Sequence, residues 1–447
     1  MSGVPGNLPA MEDLGLRRVI GLALPALVVL AAEPLYILVD TAVVGHLGRL
    51  PLSGLAVGGV LLAAMSTQLT FLAYGTTARA SRLFGAGRRA EAVGEGVQAT
   101  WVALGIGVII TLIAELLLGP LTRLLAGPGE TAVAAAQWLR IALPGVPLIL
   151  ITMAGNGWMR GVQDTRRPLL YTIAGTGLSA VLNPILVYGL GWGLEGSAVA
   201  NVLAQLVAAG LFLRALLAEG VALRPQWSIM RAQLVMGRDL VLRTAGFQAC
   251  MLSVSAVAAR FGAAAVGGGY VVNQLWFTLA LIMDAVAIAA QSLVGAELGA
   301  GRADTARGFA RRISGYGLLL GCGFAVLFAA LYDVAPRLFT QDAAAIDAAQ
   351  SIWWLFVAAL PFAGVVFALD GVLLGAGDAA FLRNLTLFGG LVVFLPMIWA
   401  SLAFGWGLPG IWAGQGLFIL TRLVGCGWRT WSGRWAVVGA PGQAVGA

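Results

Sequence analysis

The chain has 447 residues, 60% of them hydrophobic and only 11% charged, with a mean hydropathy of +0.90. Ordinary soluble domains are about half apolar and about a quarter charged, so this chain lacks the polar surface to fold in water and reads as a membrane protein. Net charge is +7 and all 27 basic residues are Arg; they sit in short loops between apolar runs, which reads as loop retention on the cytoplasmic side and not as a nucleic-acid patch.

Twelve runs long enough to cross a bilayer as helices are expected at about 17–44, 54–78, 97–119, 132–158, 168–190, 196–217, 239–261, 270–297, 313–332, 350–376, 381–404 and 409–428. Their apolarity is continuous, unlike the alternating strands of an outer-membrane barrel. The first run is too long for a cleavable signal and lacks a basic stretch before it. Placing both termini in the cytoplasm puts Arg17, Arg18, Arg79, Arg82, Arg88, Arg89, Arg166, Arg167, Arg224, Arg231, Arg302, Arg307, Arg311 and Arg312 inside. That asymmetry predicts a multi-pass protein of the inner (plasma) membrane with both ends cytoplasmic. The three cysteines, Cys250, Cys322 and Cys426, lie in apolar runs and imply neither a disulfide framework nor a metal site.

The chain repeats itself at an offset of 214 residues. Gly191-Trp192-Gly193-Leu194-Glu195-Gly196 recurs as Gly405-Trp406-Gly407-Leu408-Pro409-Gly410. The same frame carries Gly85-Ala86-Gly87-Arg88 onto Gly299-Ala300-Gly301-Arg302, Asn156-Gly157 onto Asp370-Gly371, Pro147 onto Pro361 and Gly48 onto Gly262. The fold class is therefore all-α and polytopic, with two homologous six-helix bundles related by a pseudo-twofold axis. The expected divisions are an N-lobe of residues 1–218, a cytoplasmic linker of 219–238 and a C-lobe of 239–447 ending in a short cytoplasmic tail. Parallel repeats of this kind are a transporter architecture. The repeated hexapeptide matches G-x-G-x-x-G, but it is a turn between helices and opens no nucleotide-binding unit.

Ionisable residues inside spans are costly and mark function. The first run contains Glu33 and Asp40, seven residues and so about 20° apart around a helix, with Tyr36 near the same face. Desolvation disfavours the charged form of a carboxylate, so such a group can take a proton from one side and release it to the other. Pro25 and Pro34 interrupt the same helix and make it the candidate bending element. Asn183 and Asn201 are amides that can orient Asp40 or offer oxygen to a small cation. Gln68, Asn156 and Asn273 are candidate cavity donors, and Phe71 and Tyr74 with Tyr36 offer aromatic faces to a cation. Asp284 and Asp370 either face the substrate or link helices. His46, the lone histidine, is read as solvated at the outer end of the first helix. No residue set with metal-ligand spacing, P-loop or catalytic constellation is present, so the chain is read as a non-enzyme without cofactor, driven by an ion gradient.

The run Pro34 to Gly48 resembles the first helix of the multidrug and toxic compound extrusion (MATE) family. Gly155 to Pro168 and Gln291 to Gly295 are similar to further motifs of that family, and Leu369-Asp370-Gly371 with Leu382-Arg383-Asn384 is similar to its DinF-type branch. The resemblance implies two bundles forming a V, alternating access and export of drugs against proton or sodium flow. It makes Asp40 the coupling aspartate, Pro25 the bending proline, Asn183 a polar partner and Asn201 the stand-in for a threonine. The family often has an aspartate four residues after that asparagine, where this chain has Val187. A sodium site at Asp40, Asn183 and Asn201 is then one carboxylate short unless Glu33 joins it, which favours the proton. The expected activity is export of organic cations or amphipathic compounds by a monomer in the lipid bilayer. The alternative is a flippase of lipid-linked saccharide, against which the mostly acidic mid-membrane charges argue.

Overall fold

All regular structure among the described residues is helical. The computed structural model describes residues 15–440; the termini expected in the cytoplasm fall in 1–14 and 441–447, outside the described residues. Helix α1 is Leu16–Gly45, α2 Arg49–Gly85 with a loosened turn at 68–70, and α3 Arg89–Leu116. Helix α4 has two arms, Glu130–Ala142 and Gly145–Gly161, followed by α5 at Arg166–Gly189 and α6 at Gly193–Ala218. The second half runs α7 Trp227–Arg260, α8 Ala263–Gly299, α9 Ala303–Ala330, α10 Ala343–Gly375 and α11 Ala379–Ala403, then α12 Gly407–Trp431. Every expected run is occupied by a helix. Ten are long and apolar enough to span a membrane and the two-armed α4 makes eleven; α12, which carries Arg422 and Arg429, is the twelfth by position.

Prolines shape two of these helices. Pro144 lies at the break of α4, where the arms bend by 52°, because a proline offers no N–H and crowds the preceding turn. Pro184 ends the regular part of α5 and is followed by a wide π turn, Ile185–Gly189. Pro25 and Pro34, by contrast, lie within a helix that runs unbroken from Leu16 to Gly45. Neighbouring helices and small local adjustments satisfy the backbone groups that such prolines free.

The 214-residue repeat is written into the backbone. Left-handed φ values recur in frame: 116° at Gly48 and 103° at Gly262, 77° at Gly87 and 80° at Gly301, 69° at Gly191 and 68° at Gly405. A side chain makes this conformation costly, which is why the turn sequence Gly-Trp-Gly appears twice. Gln163, at 63°, is the one non-glycine with positive φ among the described residues; its frame partner is Gly377, at 78°.

Close helix crossings repeat as well. A Cβ on Gly107 would lie 2.6 Å from Pro147, and one on Gly321 would lie 2.8 Å from Pro361. Gly157 likewise meets the Ala73 carbonyl and Gly371 the Ala287 carbonyl, at 2.7 and 2.2 Å from the added Cβ. Lipid tails are as apolar as the helix faces, so association rests on this close packing and not on hydrophobic gain. Trp192 and Trp406, equivalent in frame, are exposed, as suits rings that settle at a membrane interface.

The chain divides into two compact units. One is Val28–Val241; the other is Leu242 onward together with the stretch up to Leu27. The breaks fall inside α1 and α7 at equivalent positions of the frame. The stretch expected as a linker, 219–238, is α-helical from Trp227 and is fastened to the first unit. Gln98 Nε2 donates to the Arg224 carbonyl at 2.9 Å, and its Oε1 accepts from the Gln226 N–H at 2.7 Å. Trp101 donates to the Leu223 carbonyl at 2.8 Å. Gln233 donates to Glu95 at 2.7 Å, and Glu95 holds Arg79 in a two-pronged pair at 2.8 and 2.6 Å.

Candidate functional site

Within the first unit the helices α1, α2, α4, α5 and α6 enclose a cavity of about 630 Å³. Asp40 lies on its wall and is 3% exposed. Asn183 Nδ2 and Ser197 Oγ each donate to Asp40 Oδ1 at 2.6 Å, and the Tyr36 hydroxyl donates to Oδ2 at 3.3 Å. A further layer orients these donors: Trp138 Nε1 donates to Ser197 Oγ at 3.2 Å, and Asn201 Nδ2 to the Tyr36 hydroxyl at 2.8 Å. Every one of these partners is neutral, and no arginine pairs with Asp40 among the described residues.

The local sequence explains the arrangement. Tyr36 and Asp40 are four residues apart and therefore on one face of α1. Asn183 is the last residue before Pro184, so it sits at the end of the regular helix, where the π turn begins. Ser197 enters on the first turns of α6, set by the Gly191–Gly193 turn. The Asn183 carbonyl oxygen is enclosed and accepts no hydrogen bond. Hydroxyls can accept as well as donate, so Tyr36 and Ser197 can accommodate a proton arriving on Asp40.

Of the residues expected in a cavity, Tyr36, Tyr74 and Asn156 line this one, together with Glu33, Asp40 and Asn201. Glu33 is exposed and makes no hydrogen bond or ion pair among the described residues. It stands seven residues from Asp40, about 10 Å along the helix axis, and outside the Asp40 hydrogen-bond set. Asn183 is fully buried behind Asp40. Phe71 is covered by the linker end of α7, since a Cβ on Gly237 would lie 2.4 Å from its ring. Gln68 is half-buried in the 68–70 turn with its carbonyl oxygen enclosed and unpaired. Neither Phe71 nor Gln68 lines the cavity. His46 is exposed, and its Nδ1 bonds the Ala42 carbonyl one turn earlier in α1 at 2.7 Å.

Asn273, Asp284 and Asp370 belong to the other unit. Asn273 and Asp284 are half-buried on α8. Asp370 is buried on α10, where Arg243 of α7 and Arg422 of α12 both donate to its Oδ2. These contacts join α10 to α7 and α12.

Ser197, Trp138 and the two arginines are not among the residues expected from the sequence. A usable signal lies in the repeat itself, at positions where the halves differ in polarity. Tyr36, Asp40, Asn183 and Ser197 have Cys250, Val254, Met397 and Ile411 as frame partners. Three of those four partners, Cys250, Val254 and Ile411, lie in or against the apolar core of the second unit.

The MatE family model matches residues 25–185 and again 240–399. The two matches follow the frame of the repeat. The chain is 31% identical over 446 residues to Protein DETOXIFICATION 44, chloroplastic, of Arabidopsis thaliana, covering 96% of this chain and 85% of that protein. It is 29% identical over 380 residues to DNA damage-inducible protein F of Escherichia coli, covering 81% of each. A solved structure described as MATE in the bent conformation superposes with a TM-score of 0.87 at 22% identity, covering 96% of this chain and 98% of that one. The Vibrio cholerae MATE transporter VcmN in the bent form gives 0.85 at 18% identity, covering 95% and 96%. The chain belongs to the MatE family and is a multi-pass membrane transporter of the multidrug and toxic compound extrusion type, with a DinF-type protein among its relatives.

Proposed function

We propose that this transporter is a proton-coupled antiporter that exports organic cations or amphipathic compounds by alternating access, with Asp40 as the coupling group. The observation that carries the reading is a buried carboxylate on a cavity wall whose partners among the described residues are all neutral donors. An ion-paired carboxylate is a fixed link, whereas one held only by dipoles can bind and release a proton as its surroundings change. Sodium needs several oxygen ligands with net negative charge, and here one carboxylate stands with Asn183, Asn201 and two hydroxyls. Val187, buried in the π turn, brings no side-chain oxygen, and Glu33 is about two turns away.

The available energy is sufficient. One proton moving down about 100 mV yields about 2.3 kcal/mol, and a pH difference of one unit adds about 1.4 kcal/mol. Together these support a gradient of several hundred-fold for a neutral substrate exchanged one for one. For a monovalent cation the electrical part cancels and about tenfold remains. The arginine distribution supports an inner-membrane orientation with both termini in the cytoplasm.

Glu33, exposed on the cavity and without an ion pair among the described residues, meets the substrate's positive charge in this reading. Tyr36 and Tyr74 supply the aromatic faces. Cells expressing the chain are expected to accumulate less of a cationic dye than cells without it. Glu33→Gln is expected to raise KM for that dye about tenfold, corresponding to about 1.4 kcal/mol, with kcat little changed. An unchanged KM removes Glu33 from the substrate site, and unchanged dye accumulation in expressing cells removes the cation-export reading.

A further inference from the structure

We propose that the second unit holds an oxyanion-binding site built by Arg243 and Arg422 around Asp370. Two guanidinium groups converge on one carboxylate oxygen, which leaves the cluster with a net charge of one. Neither arginine has another acidic partner among the described residues. The remaining titratable neighbour is the Cys426 thiol, 3.9 Å from Asp370 Oδ1. An uncompensated charge deep in a helical bundle is costly, and the direct compensation is an anion.

Donors remain for one. Each guanidinium has five N–H groups in a fork that matches a carboxylate or phosphate, and Asp370 uses only part of them. The Nε of Arg422, a residue 9% exposed, is enclosed and has no partner. The side chains of Arg243 and Arg422 keep 19% and 11% of their surface exposed, so the cluster is open at its edge.

The repeat gives an independent reason for placing a ligand here. In the 214-residue frame Arg243, Asp370, Arg422 and Cys426 correspond to Val29, Asn156, Ala208 and Phe212. All four of those residues line the cavity of the first unit. The second unit therefore carries a cationic cluster at the position where its homologous half carries a ligand-sized space. The ligand chemistry is that of a small oxyanion, whether a free carboxylate or phosphate or the phosphate of a lipid headgroup.

The test uses the full chain purified in a non-ionic detergent and followed by thermal melting. It is titrated with citrate, inorganic phosphate or phosphatidylglycerol, with sodium chloride of matched ionic strength as reference. Saturable stabilisation by citrate or phosphate identifies a soluble anion, and saturation by phosphatidylglycerol alone identifies a lipid headgroup; both support the site. Arg422→Gln leaves a neutral Arg243–Asp370 pair and is expected to weaken the apparent Kd at least tenfold. Asp370→Asn raises the net charge and is expected to tighten it by a similar factor. The proposal is overturned if no probe stabilises the wild-type chain beyond matched chloride, or if both variants keep the wild-type Kd. Where one variant fails to fold, the other variant and the wild-type comparison decide.

Discussion

Asp40→Asn is expected to lower coupled export at least a hundredfold while leaving a folded protein of near wild-type abundance. The amide has the size of the carboxylate, and its oxygen can still accept from Asn183 and Ser197, which donate at 2.6 Å in the wild type. Its NH₂ group can donate to the Tyr36 hydroxyl, which then acts as acceptor. Replacing a buried, unpaired charge by a neutral group also removes a desolvation cost, so the variant should melt at or above the wild-type temperature. What it loses is the ability to bind and release a proton. Melting curves in detergent and dye export from cells measure the two halves of this expectation. Wild-type export by Asp40→Asn removes Asp40 from coupling, and a large fall in melting temperature makes it a structural residue instead.

The largest stability effect is expected where α9 crosses α10. A Cβ on Gly364 would lie 2.0 Å from the Gly317 carbonyl oxygen, and one on Gly317 would lie 2.3 Å from the Gly364 carbonyl oxygen. Both obstacles are backbone, so no rotamer change relieves them. Gly364→Ala is expected to cost about 1–3 kcal/mol, and Gly364→Leu, which must also place a branched side chain in that crossing, more than that. Gly323, on the same helix α9, has open space where its Cβ would go. Gly323→Ala should therefore leave stability unchanged or raise it by up to about 1 kcal/mol through helix propensity. Folded yield and melting temperature of the purified variants check this. A Gly364→Leu variant that melts with the wild type would show that the two helices do not depend on this crossing.

Helix placement was legible because apolar runs of bilayer length have few alternatives in sequence, and the repeat was legible because its turns need glycine at fixed places. Asp40, Tyr36 and Asn201 stood out as polar groups in apolar helices. Ser197 and Trp138 did not, since a serine after a glycine-rich turn and a tryptophan in a span are ordinary until tertiary packing brings them to Asp40. The division of the chain at Val241 and Leu242 was hidden for a different reason. The groups that fasten the preceding stretch include the backbone of Leu223, Arg224 and Gln226, and backbone groups carry no sequence signature. Arg243 and Arg422 fall inside the runs expected at 239–261 and 409–428 and were visible there as charges in spans; only the fold shows that both meet Asp370. Phe71 was misplaced because its aromatic character says nothing about Gly237, the residue that covers it.

The central claim is that Asp40 couples export to protons, and the most direct measurement is transport by the purified chain in sodium-free lipid vesicles carrying a pH-sensitive dye. An imposed proton gradient should drive uptake of a cationic substrate, and a substrate gradient should in turn change internal pH; neither should occur with Asp40→Asn. If wild-type transport is absent without sodium and restored by adding it, or if Asp40→Asn still moves protons with substrate, the account is contradicted.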